Sequence, residues 1–419
     1  MTREMKNSGI PWIGEIPEGW TIELIGNQVK EVDNPNTNGE EDNALQFKMG
    51  SIISKSQGNS KYNPETLEGY NIVDKGVIML NGLNLSFDFI SQRVGLVRER
   101  GVITSTYLAV KPTDNIDSEY LTYLFKAYDN CKAFHSMGKG LRQTLSYGEL
   151  RKYLLIYPSL AEQQRIAEFL DRKCAEVDEM IALQEQIIEE LKAYKQSVIT
   201  EAVTKGLNPA APMRDSGIEW IGSIPEHWEI KLLSTLFDEH KHKNSELQEA
   251  NLLSLSYGKI VRKDINTSEG LLPQSFDGYN IISNGDIVFR LTDLQNDKKS
   301  LRTGLCLETG IITSAYVTIR ARQKLCSAYF HYLVHSYDVC KVFYGMGDGV
   351  RQGMNYSDLR KLLLLSPPIT EQQAIADYLD DKCADIDSLI QTKQSKIDSL
   401  KEYKKSIIYE YVTGKREVE

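Results

Sequence analysis

The chain has 419 residues, 41% of them hydrophobic and 26% charged, a composition ordinary for two or three folded domains. No run approaches the ~18 apolar residues of a membrane span, and the opening MTREMKNSGIPW has no apolar core that would suggest export. The six cysteines form no CxxC pair, so we expect a reduced, cytoplasmic setting with neither a disulfide scaffold nor a zinc ribbon. The net charge of −9 lacks the basic footprint usual for a DNA binder, so a nucleic-acid reading must rest on local patches and architecture.

Read in chain order, the sequence is written twice. IPWIGEIPEGW (10–20) returns as IEWIGSIPEHW (218–228), and GYNIVDKGVIML (69–80) as GYNIISNGDIVF (278–289). CKAFHSMGKGLRQ (131–143) returns as CKVFYGMGDGVRQ (340–352), and EQQRIAEFLDRKCAEVDEMI (162–181) as EQQAIADYLDDKCADIDSLI (371–390). The offset is 208, then 209, far beyond the roughly 20–50 residues of a solenoid repeat, so this is a duplicated module. Each copy opens as mixed α/β. Apolar, β-branched runs predict strands at 77–80, 94–97 and 102–110, with partners at 287–289 and 311–319. Helical spacing marks 118–135 and 327–344, and Pro158 and Pro367–Pro368 close the globular part.

The remainder of each copy is different material. Residues 161–205 and 370–413 contain no proline or glycine and are rich in helix formers. Ser159 with Glu162, and Thr370 with Gln373, fit capping boxes. Val177, Ile181, Ile188, Leu191 and Val198 fall at heptad spacing, as do Ile386, Ile390, Ile397, Leu400 and Ile407. Polar residues interrupt both stripes at matching places, Gln184/Lys393 and Lys195/Lys404. Each helix should lie either against its twin as an antiparallel coiled coil or on its own domain. If the polar interruptions face one another, paired positions sum to 588, as in Gln184 with Lys404 and Lys195 with Lys393.

Catalytic motifs are missing. We find no GxxxxGK[ST] phosphate loop, no NPPY or DPPY tetrapeptide and no glycine-rich FxGxG turn. His331 and His335 could present two metal ligands, but the first copy has Thr122 and Lys126 there, so two surface histidines are expected. His240 and His242 read as part of a solvated basic run.

The order of globular domain, L-x-E-Q-Q-x-I-A-x-F-L-D helix (160–171), second globular domain and second such helix (369–380) resembles the specificity subunit of type I restriction–modification systems. The W-I-G-x-I-P-x-x-W openings and the G-x-x-R-Q before each helix resemble that family too. The resemblance implies an α+β fold of two similar mixed α/β target recognition domains, 1–158 and 208–367. Two long helices, 159–207 and 368–419 with its tail, would join them as an antiparallel coiled coil with pseudo-two-fold duplication. It implies a non-catalytic chain in which each domain reads one half of a bipartite, asymmetric double-stranded DNA site. The helices would set the spacing and dock two methyltransferase subunits, with motor-endonuclease subunits joining and no membrane involved. No cofactor is expected on this chain; S-adenosylmethionine, ATP and Mg belong to the partner subunits. The alternatives are the specificity part of a fused methyltransferase or nuclease system, and a coiled-coil protein adaptor without DNA.

Scaffold should match between the copies and reading surfaces should differ. The divergent stretches are 33–66 against 242–275, and 81–92 against 290–301, a variable loop between strands. Candidates for base reading are Lys48, Ser54, Lys55, Gln57, Asn59, Asn81, Asn84, Ser86 and Gln92 in the first copy. In the second they are Ser256, Tyr257, Lys259, Arg262, Arg290, Asp293, Gln295 and Asn296. Phosphate candidates are Lys61, Arg93, Lys139, Arg142, Gln143, Lys263, Lys298, Lys299, Arg302, Arg351 and Gln352. Arg142 and Arg351 have an equal alternative as structural bridges to a carboxylate.

Overall fold

The computed structural model describes residues 3–55, 67–140, 143–264, 275–294, 301–346 and 353–418. They form two units, Met1–Glu185 with Gln394–Glu419, and Gln186–Lys393. The units divide inside the two long helices, because each helix half packs on the globular part of its own unit.

In the first unit a four-stranded antiparallel sheet runs in the order Val29–Glu31, Leu108–Pro112, Ile78–Leu80, Val94–Leu96. The second unit repeats it as Phe237–Glu239, Val317–Ala321, Ile287–Phe289, Thr303–Leu305. The single strand expected over 102–110 is two, Gly101–Ile103 and Leu108–Pro112, because Thr104–Tyr107 turns and sends the first piece to pair with Asn71–Val73. The helix expected over 118–135 likewise stops at Asn130, and 327–344 stops at Val339. Lys132 and Lys341 take φ of 59° and 61°, left-handed values that end a right-handed helix.

Each sheet packs its apolar face on one of these helices, on a tryptophan of the repeated opening, and on the long helices. In the first unit Trp20, Tyr120, Phe125, Ile166, Leu170, Ile407 and Val412 share one core. In the second Trp228, Tyr329, Phe330, Val203, Ile375 and Leu379 do. The long helices are Leu160–Lys205 and Ile369–Val412. They are antiparallel within each unit: Phe169 meets Tyr411 at 4.4 Å and Asp178 meets Lys404, while Lys195 meets Asp387 and Gly206 approaches Glu371. Of the expected stripe, Val177, Ile188, Ile386, Ile397 and Ile407 are buried and Ile181, Leu191, Val198, Ile390 and Leu400 half-buried.

The register differs from the expected sum of 588. Lys404 pairs with Asp178 and Lys195 with Asp387, both summing to 582, close to one heptad away. An ammonium on the stripe is better placed on a carboxylate than beside Gln184 or another lysine. The capping boxes also differ. The Glu162 amide donates to Ser159 Oγ at 3.4 Å, but the Glu162 carboxylate takes Arg3 instead of closing the box. The second helix starts at Ile369, so Thr370 lies inside it and the Glu371 and Gln372 amides donate to the Pro368 carbonyl.

The repeated helix signature has structural work in each unit. Gln163 is fully buried; its Oε1 accepts from the Asp117 amide at 2.8 Å and its Nε2 donates to the Asn115 and Pro158 carbonyls. Gln372 accepts from the Cys326 amide and donates to Pro367 in the same way. The signature aspartates accept phenol protons, Asp171 from Tyr123 and Asp380 from Tyr332, each at 2.7 Å.

Candidate nucleic-acid interface

The loop between the third and fourth strands of each sheet order is built around a buried arginine. Arg93 donates from Nη1 to the Asn81 and Leu83 carbonyls at 2.9 and 2.8 Å, and from Nη2 to that of Asp88 at 2.6 Å. Arg302 donates to the carbonyls of Arg290, Thr292 and Asp293 at 3.2, 2.8 and 3.2 Å. Their amides donate to Asp129 and Asp338 on the neighbouring helices. Arg93 is 1% exposed and Arg302 0%, so burial removes both from the phosphate role expected of them. Leu85 and Leu294, fully buried, pin the same point of each loop.

Several other expected readers shape the loop. Asn81 Oδ1 accepts from the Leu83 amide, and Asn84 and Asp293 occupy the same left-handed position at φ 53° and 58°. Ser86 Oγ is buried. The outward side chains include large apolar ones: Phe87 is 71% exposed and Ile90 93%, with Phe89 stacked on His135 at 4.7 Å, and Asn84, Ser91 and Gln92 are exposed on the same loop. Asp88 accepts from the Ile90 and Ser91 amides; hydrogen bonds from Ser91, with Arg93 nearby, hold its carboxyl down at about 2.

Next to the loop stands a two-stranded hairpin, Leu45–Lys48 with Ser51–Ser54 in the first unit and Leu253–Ser256 with Lys259–Arg262 in the second. Its inner side chains cross a glycine of the sheet. A Cβ on Gly95 would lie 3.0 Å from Ile52, and one on Gly304 2.6 Å from Leu255, so a side chain there would unseat the hairpin. Lys48, Lys259 and Lys263 are exposed, Ser256 and Lys55 half-buried. Ser54 donates toward Asn43 and Glu99, and Arg262 makes a bidentate pair with Glu308, so both side chains already have protein partners. Lys139 pairs with Glu149 at 3.0 Å, and Gln143 takes φ 44° in its turn. Arg290 and Asp293 are half-buried. Gln57, Asn59, Lys61, Arg142, Gln295, Asn296, Lys298, Lys299, Arg351 and Gln352 lie outside the described residues.

Sequence reasoning missed Met49 and the apolar tip at Phe87 and Ile90, because it looked for hydrogen-bonding side chains. The available signal was an X-Gly pair between two alternating strands, Met49-Gly50 here and Tyr257-Gly258 in the second copy. The histidine pair is also corrected: His331 and His335 are half-buried, not surface residues, because their helix face packs on the sheet and beside Lys195. Among the described residues no group of three or more His, Cys, Asp or Glu could hold a metal, and no helix is long and apolar enough to cross a membrane.

Residues 97–193 match the type I restriction modification DNA specificity domain. The chain carries that domain. Along its length it is also similar to the putative type I restriction enzyme MjaX specificity subunit of Methanocaldococcus jannaschii, at 23% identity over 96% of this chain and 95% of the relative. The MjaVIII specificity subunit of the same organism is 22% identical over 96% and 93%. The fold is that of a chain solved in work on complex assembly and conformational transition of the type I R-M system (TM-score 0.67, 14% identity, 96% and 99% covered). The HsdS subunit from Thermoanaerobacter tengcongensis has a TM-score of 0.51 at 14% identity, with 96% and 98% covered. In domain content and architecture the chain is therefore similar to type I specificity subunits along nearly its whole length.

Proposed function

We propose that each unit reads one half of a bipartite, asymmetric double-stranded DNA site, as the specificity subunit of a type I restriction–modification complex. The paired long helices set the spacing of the halves and dock two methyltransferase subunits; motor-endonuclease subunits complete the assembly. S-adenosylmethionine, ATP and Mg serve the partner subunits, and this chain supplies recognition without chemistry.

The observation that carries this reading is a division between buried and exposed. The residues that build the loop match between units, as in Arg93/Arg302, Leu85/Leu294 and Asp129/Asp338. The exposed residues on the same elements differ. Matched frameworks with unlike contact surfaces suit two related readers of two unlike sequences, since base contacts specify and the framework positions.

Methylation-detecting sequencing of cells expressing this chain with its methyltransferase tests it. The expected result is adenine methylation at a split site with unlike halves, and none from the isolated chain. Methyl transfer by the chain alone, or methylation at a single uninterrupted site, would overturn the reading.

A further inference from the structure

The hairpin tips put a large non-glycine side chain on left-handed backbone in both units. Both are two-residue turns: Lys48 pairs with Ser51 across Met49-Gly50, and Ser256 with Lys259 across Tyr257-Gly258. The φ values are 46° and 76° in the first and 46° and 78° in the second, so both turn residues are left-handed, as in a type I′ turn. The first position of such a turn strongly favours Asn, Asp or Gly, because a larger side chain crowds its own backbone there. Here it holds methionine and tyrosine, 84% and 85% exposed. A strained position that carries a large solvent-facing side chain, twice in one chain, is not explained by folding.

The surroundings fit a nucleic acid. Each tip sets one lysine directly across from one serine, in opposite order in the two units, with no acid at either paired position. Each tip glycine backs onto the end of the divergent loop: a Cβ on Gly50 would lie 2.5 Å from Gln92 Oε1, and one on Gly258 3.1 Å from Leu301. The tip therefore lies against the last residue of the loop in each unit. A two-stranded ribbon is also a shape that the major groove admits.

We propose that Met49 and Tyr257 are the base-probing side chains of the two units, each carried into the major groove by its hairpin. Met49 reads by apolar contact with base edges and thymine methyl groups, and Tyr257 by its ring and hydroxyl. This rests on the DNA-reading function above.

Met49→Asn and Tyr257→Asn test it, because asparagine suits the turn better than either native residue. Each variant is purified with its methyltransferase and titrated with duplexes carrying the mapped site, substituted one base pair at a time in either half. Thermal midpoints should stay equal or rise. Met49→Asn should weaken binding roughly ten-fold or more and flatten base preference in the first half alone, and Tyr257→Asn in the second alone. Replacing thymine by deoxyuridine in the first half should weaken the native complex and leave Met49→Asn indifferent. Native base preference in both variants, or an equal loss on unrelated DNA, overturns the assignment while leaving the parent reading intact. A native complex with no preferred sequence overturns the parent reading instead.

Discussion

Lys404 Nζ lies 2.6 Å from Asp178 Oδ2 on the facing long helix of the first unit, and Lys195 and Asp387 repeat the pair at 2.6 Å in the second. Both side chains remain partly exposed, so each pair contributes about 0.2–1 kcal/mol. Lys404 also lies close enough to the half-buried Lys126 to help desolvation push that ammonium's pKa down, so Asp178 offsets a local excess of positive charge.

Reversing one charge should therefore do more than remove a pair. Asp178→Lys is expected to destabilise the first unit by about 1 kcal/mol, and adding Lys404→Asp to recover most of it. Thermal melts of the two single variants and the double variant give the coupling. A double variant no better than the sum of the singles would mean that the 582 register is wrong.

The buried arginines make a sharper prediction. Arg93→Lys and Arg302→Lys keep the charge but cannot reach three carbonyls from a planar fork. Leaving buried carbonyls unpaired should destabilise each unit by about 2–4 kcal/mol and loosen its loop. Denaturant midpoints with hydrogen exchange over 81–92 would show it. Unchanged stability with uniformly weaker DNA binding would instead return these residues to the phosphate role.

What was legible in the sequence follows from what duplication exposes. The two modules, the long helices and the sheet strands were readable because burial constrains the same apolar positions in both copies, as at Leu85 and Leu294. The register was not, because a heptad stripe matches itself again seven residues on, and an ion pair between Asp178 and Lys404 decides among near-equal alignments. Arg93 and Arg302 were misread as surface contacts because composition cannot tell a buried arginine satisfied by carbonyls from a solvated one. Met49 is apolar and so carries none of the polar chemistry that marks a base reader in sequence; its left-handed backbone and its exposure mark it in the structure.

The second unit should be the more acid-sensitive. Burial, then the neighbouring His335, pushes His331 down to about 3; burial, then Lys195, pushes His335 down to about 4. Unfolded histidine protonates near 6.5, so below that pH the unfolded chain binds protons that the folded unit refuses. The contribution is fully present above about 6.5 and is lost as pH falls toward about 4 and 3. The first unit has Thr122 and Lys126 at these positions. Hydrogen exchange, corrected for intrinsic rates, should show Ser327–Val339 losing protection between pH 7 and 5 while Ser118–Asn130 keeps it. Equal responses in both helices would sink the assignment.

The last prediction concerns where each long helix stops. Gly206 and Gly414 take φ of 73° and 69°, left-handed helix ends packed against the tryptophan that closes each repeated opening. A Cβ on Gly414 would lie 2.4 Å from Pro17 Cδ and 2.9 Å from Trp20, and both rings are held in place. One on Gly206 would meet Glu371 Oε1 at 3.0 Å and Trp228 at 3.2 Å, looser approaches than those at Gly414. Both alanine variants bear the left-handed strain, about 1–2 kcal/mol. Gly414→Ala adds overlap with a rigid ring, so it should be clearly the worse of the two, while Gly206→Asn should cost under about 1 kcal/mol because asparagine tolerates this conformation. Thermal melts of the three variants test the order. Equal losses for Gly206→Ala and Gly414→Ala would show that the helix end moves freely and that Pro17 and Trp20 do not hold it.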